Sequence, residues 1–343
     1  MASKKHVTIW QVAEEAGVSI QTVSRVLNQR PDVSPETRQN ILEIIERLGY
    51  QPNAVARGLA SRRSRTLALI TADFGDYFLN QVVNGAECVA RAHDYIYMLG
   101  STDCRPGNEP EYTRLLTERH VEGILFARAH GGAYESHLAK LVRSGIPLVS
   151  ASFSLNTTPL TVVDVDNVEG GFNATQCLIE HGHSRIAMIK GPETFKSATD
   201  RLKGYLSALQ AAGLSMDPAL IVEGDWYYES GYTAIQTLLA RRQPFTALFA
   251  QSDAMAIGAM RAMREADLRV PQDVSVVGYD DLPVAAFVDP PLTTIRQPMR
   301  EVGETATKLL IQEIEEPGSI QTKEVLLRTE FIHRNSCTDN MNY

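Results

Sequence analysis

The sequence predicts an N-terminal three-helix head containing a helix-turn-helix, then a short linker, then an α/β body of two doubly wound parallel-sheet subdomains. Three observations carry that prediction. The 343 residues, 44% of them hydrophobic, exceed what one core fills and point to two or three globular units. Residues 1–65 carry ten Lys/Arg against six Asp/Glu, a net +4, while the remainder of this −8 chain carries −12. From residue 66 the pattern changes to short apolar runs separated by helical segments. A basic head on an acidic body suits a polyanion that meets the head alone.

In the head, Thr8 precedes Ile9, Val12, Ala13 and Ala16, a helical apolar spacing opened by an N-cap and closed by Gly17. Gly17 and Val18 make the turn. Ser19 then caps a second helix with the stripe Val23, Val26 and Leu27, leaving Ile20, Gln21, Thr22 and Arg25 elsewhere on its surface. Two short helices around a glycine turn carry the helix-turn-helix signature. A third helix opens with Ser34 as N-cap, then Pro35 and Glu36. It runs through Ile41, Leu42, Ile45 and Leu48 and stops at Gly49.

Helix N-termini favour phosphate, so Ser19 and Thr22 are placed to anchor the second helix on a nucleic-acid backbone. Gln21 and Arg25, four apart, project along one face into a major groove, where Gln pairs adenine and Arg pairs guanine bidentately. Spacing alone also fits two exposed polar residues of a helical bundle.

In the body the first series of apolar runs is TLALITA (66–72), YIYMLGS (95–101), VEGILFA (121–127), IPLVSAS (146–152) and LTVVDVD (160–166). The second is RIAMIKG (185–191), LIVEGDW (220–226), FTALFAQ (245–251), VSVVGYD (274–280) and LTTIRQP (292–298). Twice five strands alternating with helices predict two similar subdomains with right-handed crossovers. Ligands in such sheets bind beyond the carboxyl ends of the strands, so the residues just after these runs are the candidates.

The stretch VTIWQVAEEAGVSIQTVSRVLN at 7–28 resembles the head of the LacI/GalR family of bacterial transcription regulators. That pattern runs Ala, Gly-Val-Ser, two variable positions, then Thr-Val-Ser-Arg-Val and Asn. By resemblance, Ile20 and Gln21 hold the positions that distinguish operators and Arg25 matches the base-reading arginine, with Thr8, Ser19, Thr22 and Asn28 completing the DNA-binding set. Gln11 stands where the family usually has an acid, which puts a local cap in question. PNAVARGLA at 52–60 is similar to the family's hinge helix, which folds in the minor groove as two subunits pair. Leu59 matches its apolar wedge, with Asn53 and Ala56 beside it. Gly58 lowers helix propensity by up to about 1 kcal/mol against Ala, so the isolated hinge is expected to order only on DNA. SRRSR at 61–65 also reads as a passive basic linker. The organisation implied is a DNA-binding head at 1–51, a hinge and linker at 52–65, and an effector-binding and dimerisation body at 66–343 made of two interleaved subdomains.

In the body, Gly182 and His183 with Ile186, Arg201 with Gly204 and Tyr205, Ser252 with Asp253, and Gly278, Tyr279, Asp280 and Asp281 extend the resemblance over residues 7–337. It implies the periplasmic-binding-protein-like fold of type I, with a ligand between two lobes. Carried over by position, Arg201, Trp226, Ser252, Asp253, Asp280 and Gln297 line the cleft, with Asp73, Tyr77 and Phe78 on the N-terminal lobe. Arg and Asp suit vicinal hydroxyls or an anion, and Trp226 offers a flat face to a sugar or a base. Trp226 also reads as core and Asp280 as a helix cap, and the family often has Asn where Ser252 stands. Asp267 replaces the usual helix-ending glycine. Asp tolerates the left-handed conformation, so that turn is expected to survive.

No GxxxxGK[ST], HExxH or GxSxG segment is present, and acids such as Asp280 with Asp281 or Asp164 with Asp166 suit ligand hydrogen bonding. No enzyme activity, cofactor or metal is expected. Among 8 histidines only His181 and His183 lie close in sequence, flanking a glycine before a strand, and a structural role is expected for them. Cys88, Cys104, Cys177 and Cys337 stand singly, which predicts reduced thiols acting as small buried hydrophobes. No apolar run reaches the roughly 20 residues of a membrane helix, and MASKKH at 1–6 carries no apolar segment, so a bacterial cytoplasmic protein, on the nucleoid when operator-bound, is expected.

After FIHRNS at 331–336, similar to the family's last strand, CTDNMNY carries no heptad repeat, so a homodimer rather than a tetramer is expected. The family implies a repressor of carbohydrate-utilisation genes that binds palindromic double-stranded operator DNA and is switched by a small sugar-like effector. Two alternatives remain open: a catabolite-control-type regulator using a phosphorylated protein as co-effector, and a nucleobase-responsive repressor.

Overall fold

The computed structural model describes residues 7–51, 63–71, 77–101, 108–127, 141–143, 145–152, 160–320 and 324–340. It divides into two units, Met1–Ser64 and Arg65–Tyr343.

The head consists of α1 (Ile9–Glu15), α2 (Ile20–Leu27) and α3 (Pro35–Leu48). Each begins at an oxygen that satisfies an otherwise orphaned N–H. The Thr8 N–H donates to Gln11 Oε1 at 2.9 Å, so glutamine serves the reciprocal cap and the departure from an acid leaves it intact. Ser19 Oγ accepts from the Thr22 N–H and Ser34 Oγ from the Thr37 N–H, each at 3.2 Å. Gly17 turns the chain between α1 and α2 at φ +65°, where a side chain would be strained.

Val12, Ala13, Val23, Val26, Ile41 and Ile44 form the buried core of the head. Two expectations shift here. Leu42 is exposed and Ile44 takes its place, because the face that meets α1 and α2 follows the spacing Ile41, Ile44, Ile45, Leu48. Ile20 is half-buried against this core and is not a free surface residue.

In the body, the first lobe takes β1 (Thr66–Thr71), α4 (Tyr77–Ala92), β2 (Ile96–Ser101), α5 (Asn108–Glu118), β3 (Gly123–Ala127), β4 (Leu148–Ala151) and β5 (Thr161–Val165). The second takes α6 (Asn167–Glu180), β6 (Ile186–Lys190), α7 (Lys196–Ala211), β7 (Ile221–Glu223), α8 (Tyr228–Ala240), β8 (Ala247–Ala250), α9 (Asp253–Glu265), β9 (Ser275–Val277) and β10 (Thr294–Arg296). The chain then returns to the first lobe through α10 (Met299–Glu315) and β11 (Glu324–Leu327), and ends its strands in the second with β12 (Glu330–Ile332).

The first sheet runs β11-β5-β4-β3-β1-β2 and the second β7-β6-β8-β9, both parallel throughout. The antiparallel pair β10–β12 continues the second sheet through parallel bridges from Val277 to Thr293 and from Asp280 to Arg296. Central strands read as continuous apolar runs because helices cover both faces of each sheet.

Five strands per lobe is therefore an undercount for the first sheet. Its edge strand β11 comes from a charge-flanked four-residue stretch, EVLL, whose pairing with β5 is long-range and invisible to local pattern. Val302, Ala306, Leu310 and Ile311 of α10 are buried in one cluster with Leu67, Leu69 and Val163, far from them in sequence.

Helices α6 and α7 touch backbone to backbone. A Cβ on Gly171 would fall 2.4 Å from the Arg201 carbonyl oxygen, and one on Gly204 2.2 Å from that of Val168. This approach seats Arg201 beside the start of α6. Asp267 adopts φ +59°, the left-handed turn expected of it. No helix among the described residues is long and apolar enough to cross a membrane.

Candidate functional site

On the head, α2 presents Gln21, Arg25 and Asn28 to solvent, with Ser19 exposed at its N-cap and Thr22 half-buried. The hydroxyls of Ser19 and Thr22 lie 3.0 Å apart, so both stand at the positive end of the helix. Arg25 Nε sits 3.4 Å from Asp32 Oδ2 in a half-exposed pair that a guanine edge can displace at little cost. Arg38 donates to the carbonyls of Val26 and Arg30 and so fixes the end of α2 against α3. Thr8 is exposed at the cap of α1. Asn53, Ala56 and Leu59 lie outside the described residues, as does Asp73.

In the body the side chains converge on Arg201, which projects from α7 and is 5% exposed. Its Nε donates to Asn167 Oδ1 at 2.9 Å and its Nη1 to the Gln251 carbonyl at 2.5 Å. The guanidinium lies 3.6 Å over the Tyr279 ring and 5.6 Å from the Trp226 ring centroid, and Nη1 stands 3.8 Å from Asp280 Oδ1. Gln297 Nε2 donates to the same Asp280 oxygen at 2.7 Å. Four of the sequence-predicted cleft residues, Arg201, Trp226, Asp280 and Gln297, are thus brought together.

Trp226 packs its ring where a Cβ on Gly191 would stand and meets Phe195 edge-on at 5.8 Å. Its indole Nε1 is buried without a hydrogen-bond acceptor among the described residues. Ser252 caps α9, accepting from the Met255 N–H at 3.1 Å while donating to the Trp226 carbonyl at 3.3 Å. It therefore holds the tryptophan loop to the helix.

Asp253 is fully buried, its Oδ1 accepts from Thr294 Oγ1 at 2.5 Å and its Oδ2 from the Leu282 N–H at 2.7 Å. Both oxygens thus tie the loop that follows Asp280 to the start of α9. Burial, and then the charge of Asp280, push the Asp253 carboxyl well above the usual carboxylate range. Tyr77 and Phe78 open α4, with Tyr77 exposed and Phe78 packed partly against the core of the first lobe.

Asn167 and Gln251 were missed by sequence reasoning. Asn167 Oδ1 accepts from both Arg201 and Tyr279, and the Gln251 side chain accepts from the Gly191 N–H at 2.9 Å and donates to the Ala198 carbonyl at 3.0 Å. Each stands at the carboxyl end of a strand, Asn167 two residues after β5 and Gln251 directly after β8, which is the signal that identifies them. Lys196, at the start of α7, lies 2.7 Å from Asp200, 3.5 Å from Glu324 on β11 and 3.8 Å from Asp164 on β5, tying the second lobe to the first.

A profile described as bacterial regulatory proteins of the lacI family matches residues 8–53, and a periplasmic binding protein-like domain profile matches residues 175–337. Catabolite control protein A of Priestia megaterium is 38% identical over 306 residues, covering 89% of this chain and 92% of that protein. The chain belongs to the LacI family of bacterial regulatory proteins. Like its relatives in that family, it is a transcriptional regulator. Among solved LacI-family structures, a Lac repressor dimer bound to operator and the anti-inducer ONPF superposes with a TM-score of 0.87 at 30% identity, over 97% of this chain and all of that one. A complex of the transcriptional regulator CelR with cellobiose superposes at 0.73 with 35% identity, over 96% of this chain and all of that one. The likeness spans head and body alike.

Proposed function

We propose that this LacI-family chain is a homodimeric repressor of carbohydrate-utilisation genes, released from or recruited to a palindromic operator by a small sugar-like effector. Residues 1–51 read DNA, residues 52–65 pair as hinge helices in the minor groove with Leu59 as wedge, and residues 66–343 bind effector and partner. Gln21 and Arg25 read bases, while Thr8, Ser19, Thr22, Asn28, Asn53 and Ala56 hold the backbone or position the reading helix. The effector lies among Arg201, Trp226, Asp280 and Gln297, with Ser252 beside it and Asp73, Tyr77 and Phe78 across from it.

The observation that carries this reading is the arrangement around Arg201. A guanidinium and a carboxylate 3.8 Å apart, next to an indole whose N–H has no acceptor among the described residues, offer donors, an acceptor and an apolar face within one cluster of side chains in the second lobe. Those are the groups a sugar ring with vicinal hydroxyls satisfies. The cellobiose found with CelR supports a sugar over a base. The chain acts without catalysis, in the cytoplasm.

Selection of tight-binding duplexes from a random pool at about 0.15 M salt, with and without a panel of sugars, sugar phosphates and nucleobases, tests the proposal. A palindrome gained or lost with one sugar is the expected result. No consensus sequence sinks the operator reading, and a palindrome that answers only to a nucleobase overturns the sugar. In the same assay Arg25→Ala is expected to relax discrimination at one base pair of each half-site by about 1–3 kcal/mol.

A further inference from the structure

The four cysteines do not all behave as isolated hydrophobes. Cys88 is exposed and Cys104 lies outside the described residues, but Cys177 and Cys337 meet in the core of the second lobe. Their Sγ atoms lie within 4.8 Å of each other, although the residues are 160 positions apart in the chain. His181 joins them. The two Sγ atoms and a ring nitrogen of His181 all lie within 4.8 Å of one another.

The fold builds this cluster from two directions. Cys177 and His181 stand four apart at the end of α6, so both side chains leave the same face of the helix. Cys337 is brought over that face by the terminal segment, which is held in place by hydrogen bonds from the Asn340 N–H to the His181 carbonyl at 2.8 Å and from the Thr338 N–H to Ser275 Oγ at 3.1 Å.

We infer that Cys177, His181 and Cys337 form a binding site for a thiophilic d10 cation such as Zn(II), reached through the surface groove that Cys337 lines. Tetrahedral zinc with sulfur ligands near 2.3 Å and nitrogen near 2.1 Å places donor atoms roughly 3.5–3.8 Å apart, and the two Sγ atoms and a His181 ring nitrogen, all within 4.8 Å of one another, need only a small inward shift to reach that spacing. His181 Nδ1 lies 2.7 Å from the Cys177 carbonyl oxygen. A carbonyl only accepts, so Nδ1 carries the proton and Nε2 keeps its lone pair. That tautomer and that backbone acceptor are the outer-shell arrangement that orients metal-binding imidazoles. The carboxylates of Glu180 and Asp339 act electrostatically on the two thiols and add negative potential. The groove, about 930 Å³ in volume, is lined by Cys337 together with Thr338, His333 and Arg334.

The test uses the full-length chain, reduced and metal-free. Zn(II) is titrated against a chromophoric chelator, and Co(II) is added separately to read thiolate-to-metal charge transfer. One ion per chain and a cobalt–thiolate band are expected, with affinity falling at least ~tenfold in Cys177→Ser, Cys337→Ser and His181→Ala. Metal-free melting and operator binding of each variant serve as the folding control. Three results overturn the inference, the last of them a redox outcome. One is a wild-type chain that gives no thiolate band. Another is zinc stoichiometry unchanged in the double variant Cys177→Ser with Cys337→Ser. Loss of two thiols to a Cys177–Cys337 disulfide in air, with no zinc bound after reduction, assigns the pair to redox chemistry instead.

Discussion

Head and body put their functional side chains to opposite uses. On the head, Gln21, Arg25 and Asn28 are exposed, and the six buried apolar residues that hold the three helices together include none of them. In the body, Arg201 is both the centre of the candidate pocket and a structural bond between α6, α7, and the strand end at Gln251. The head can change what it reads without changing how it folds. The body has less freedom, because its candidate ligand contacts and its internal hydrogen bonds run through the same atoms.

Four expected outcomes break or sharpen that contrast. Arg201→Ala leaves Asp280 buried without its cation and is expected to lower the stability of the body by about 3–5 kcal/mol as well as abolishing the effector response. Urea unfolding read alongside operator release distinguishes this from a pocket residue with no structural load, which would lose only the response. Ile41→Ala empties the centre of the small head core and is expected to remove about 2–5 kcal/mol there. Operator binding should disappear while the melting transition of the body stays where it was.

Ser34→Ala removes the cap of α3 and is expected to cost about 1 kcal/mol, again confined to the head. Far-ultraviolet circular dichroism during thermal unfolding of an isolated 1–64 fragment, which is a contiguous structural unit, reports it. The finest comparison is one of slopes. The Asp253 carboxyl titrates well above its usual range when folded, so the folded body binds its proton at a pH where the unfolded chain does not. Stability should therefore gain a contribution as pH falls through that raised value toward the unfolded value near 3.9. Asp253→Asn carries no such proton. Unfolding midpoints of wild type and variant at pH 7 and 5.5 should show the wild type gaining relative to the variant, and parallel shifts would refute the assignment.

The same contrast explains what was legible beforehand. Head elements announce themselves locally through Ser19, Ser34, Pro35 and Gly17, and the structure keeps all of those boundaries. Only the facing of Leu42 and Ile20 escaped, because a three-helix core selects among several near-equivalent apolar stripes. In the body, the alternating runs yield the strands, but β11 and the return of α10 to the first lobe rest on pairings more than 130 residues apart. The pocket was half legible. Arg201, Trp226, Asp280 and Gln297 carry unusual chemistry at motif positions, whereas Asn167 and Gln251 are ordinary amides whose importance depends on where the strands end. Asp253 was legible as a cleft candidate by residue type, whereas its bonds to Thr294 and Leu282 depend on the folded loop.

The threading of the body sets an order of assembly at the ribosome. The head is contiguous within residues 1–64 and needs nothing downstream to close its core. The first lobe lacks its edge strand until residues 324–327 have been made, and the second lacks Ser336, whose hydroxyl donates to the Val276 carbonyl and accepts from the Thr293 N–H. During synthesis a finished DNA-reading module thus emerges first, tethered to a body in which neither lobe can close. A regulator built this way completes its DNA-reading module before either lobe of its body, and translation of the segment around 324–336 is the moment at which both lobes can close.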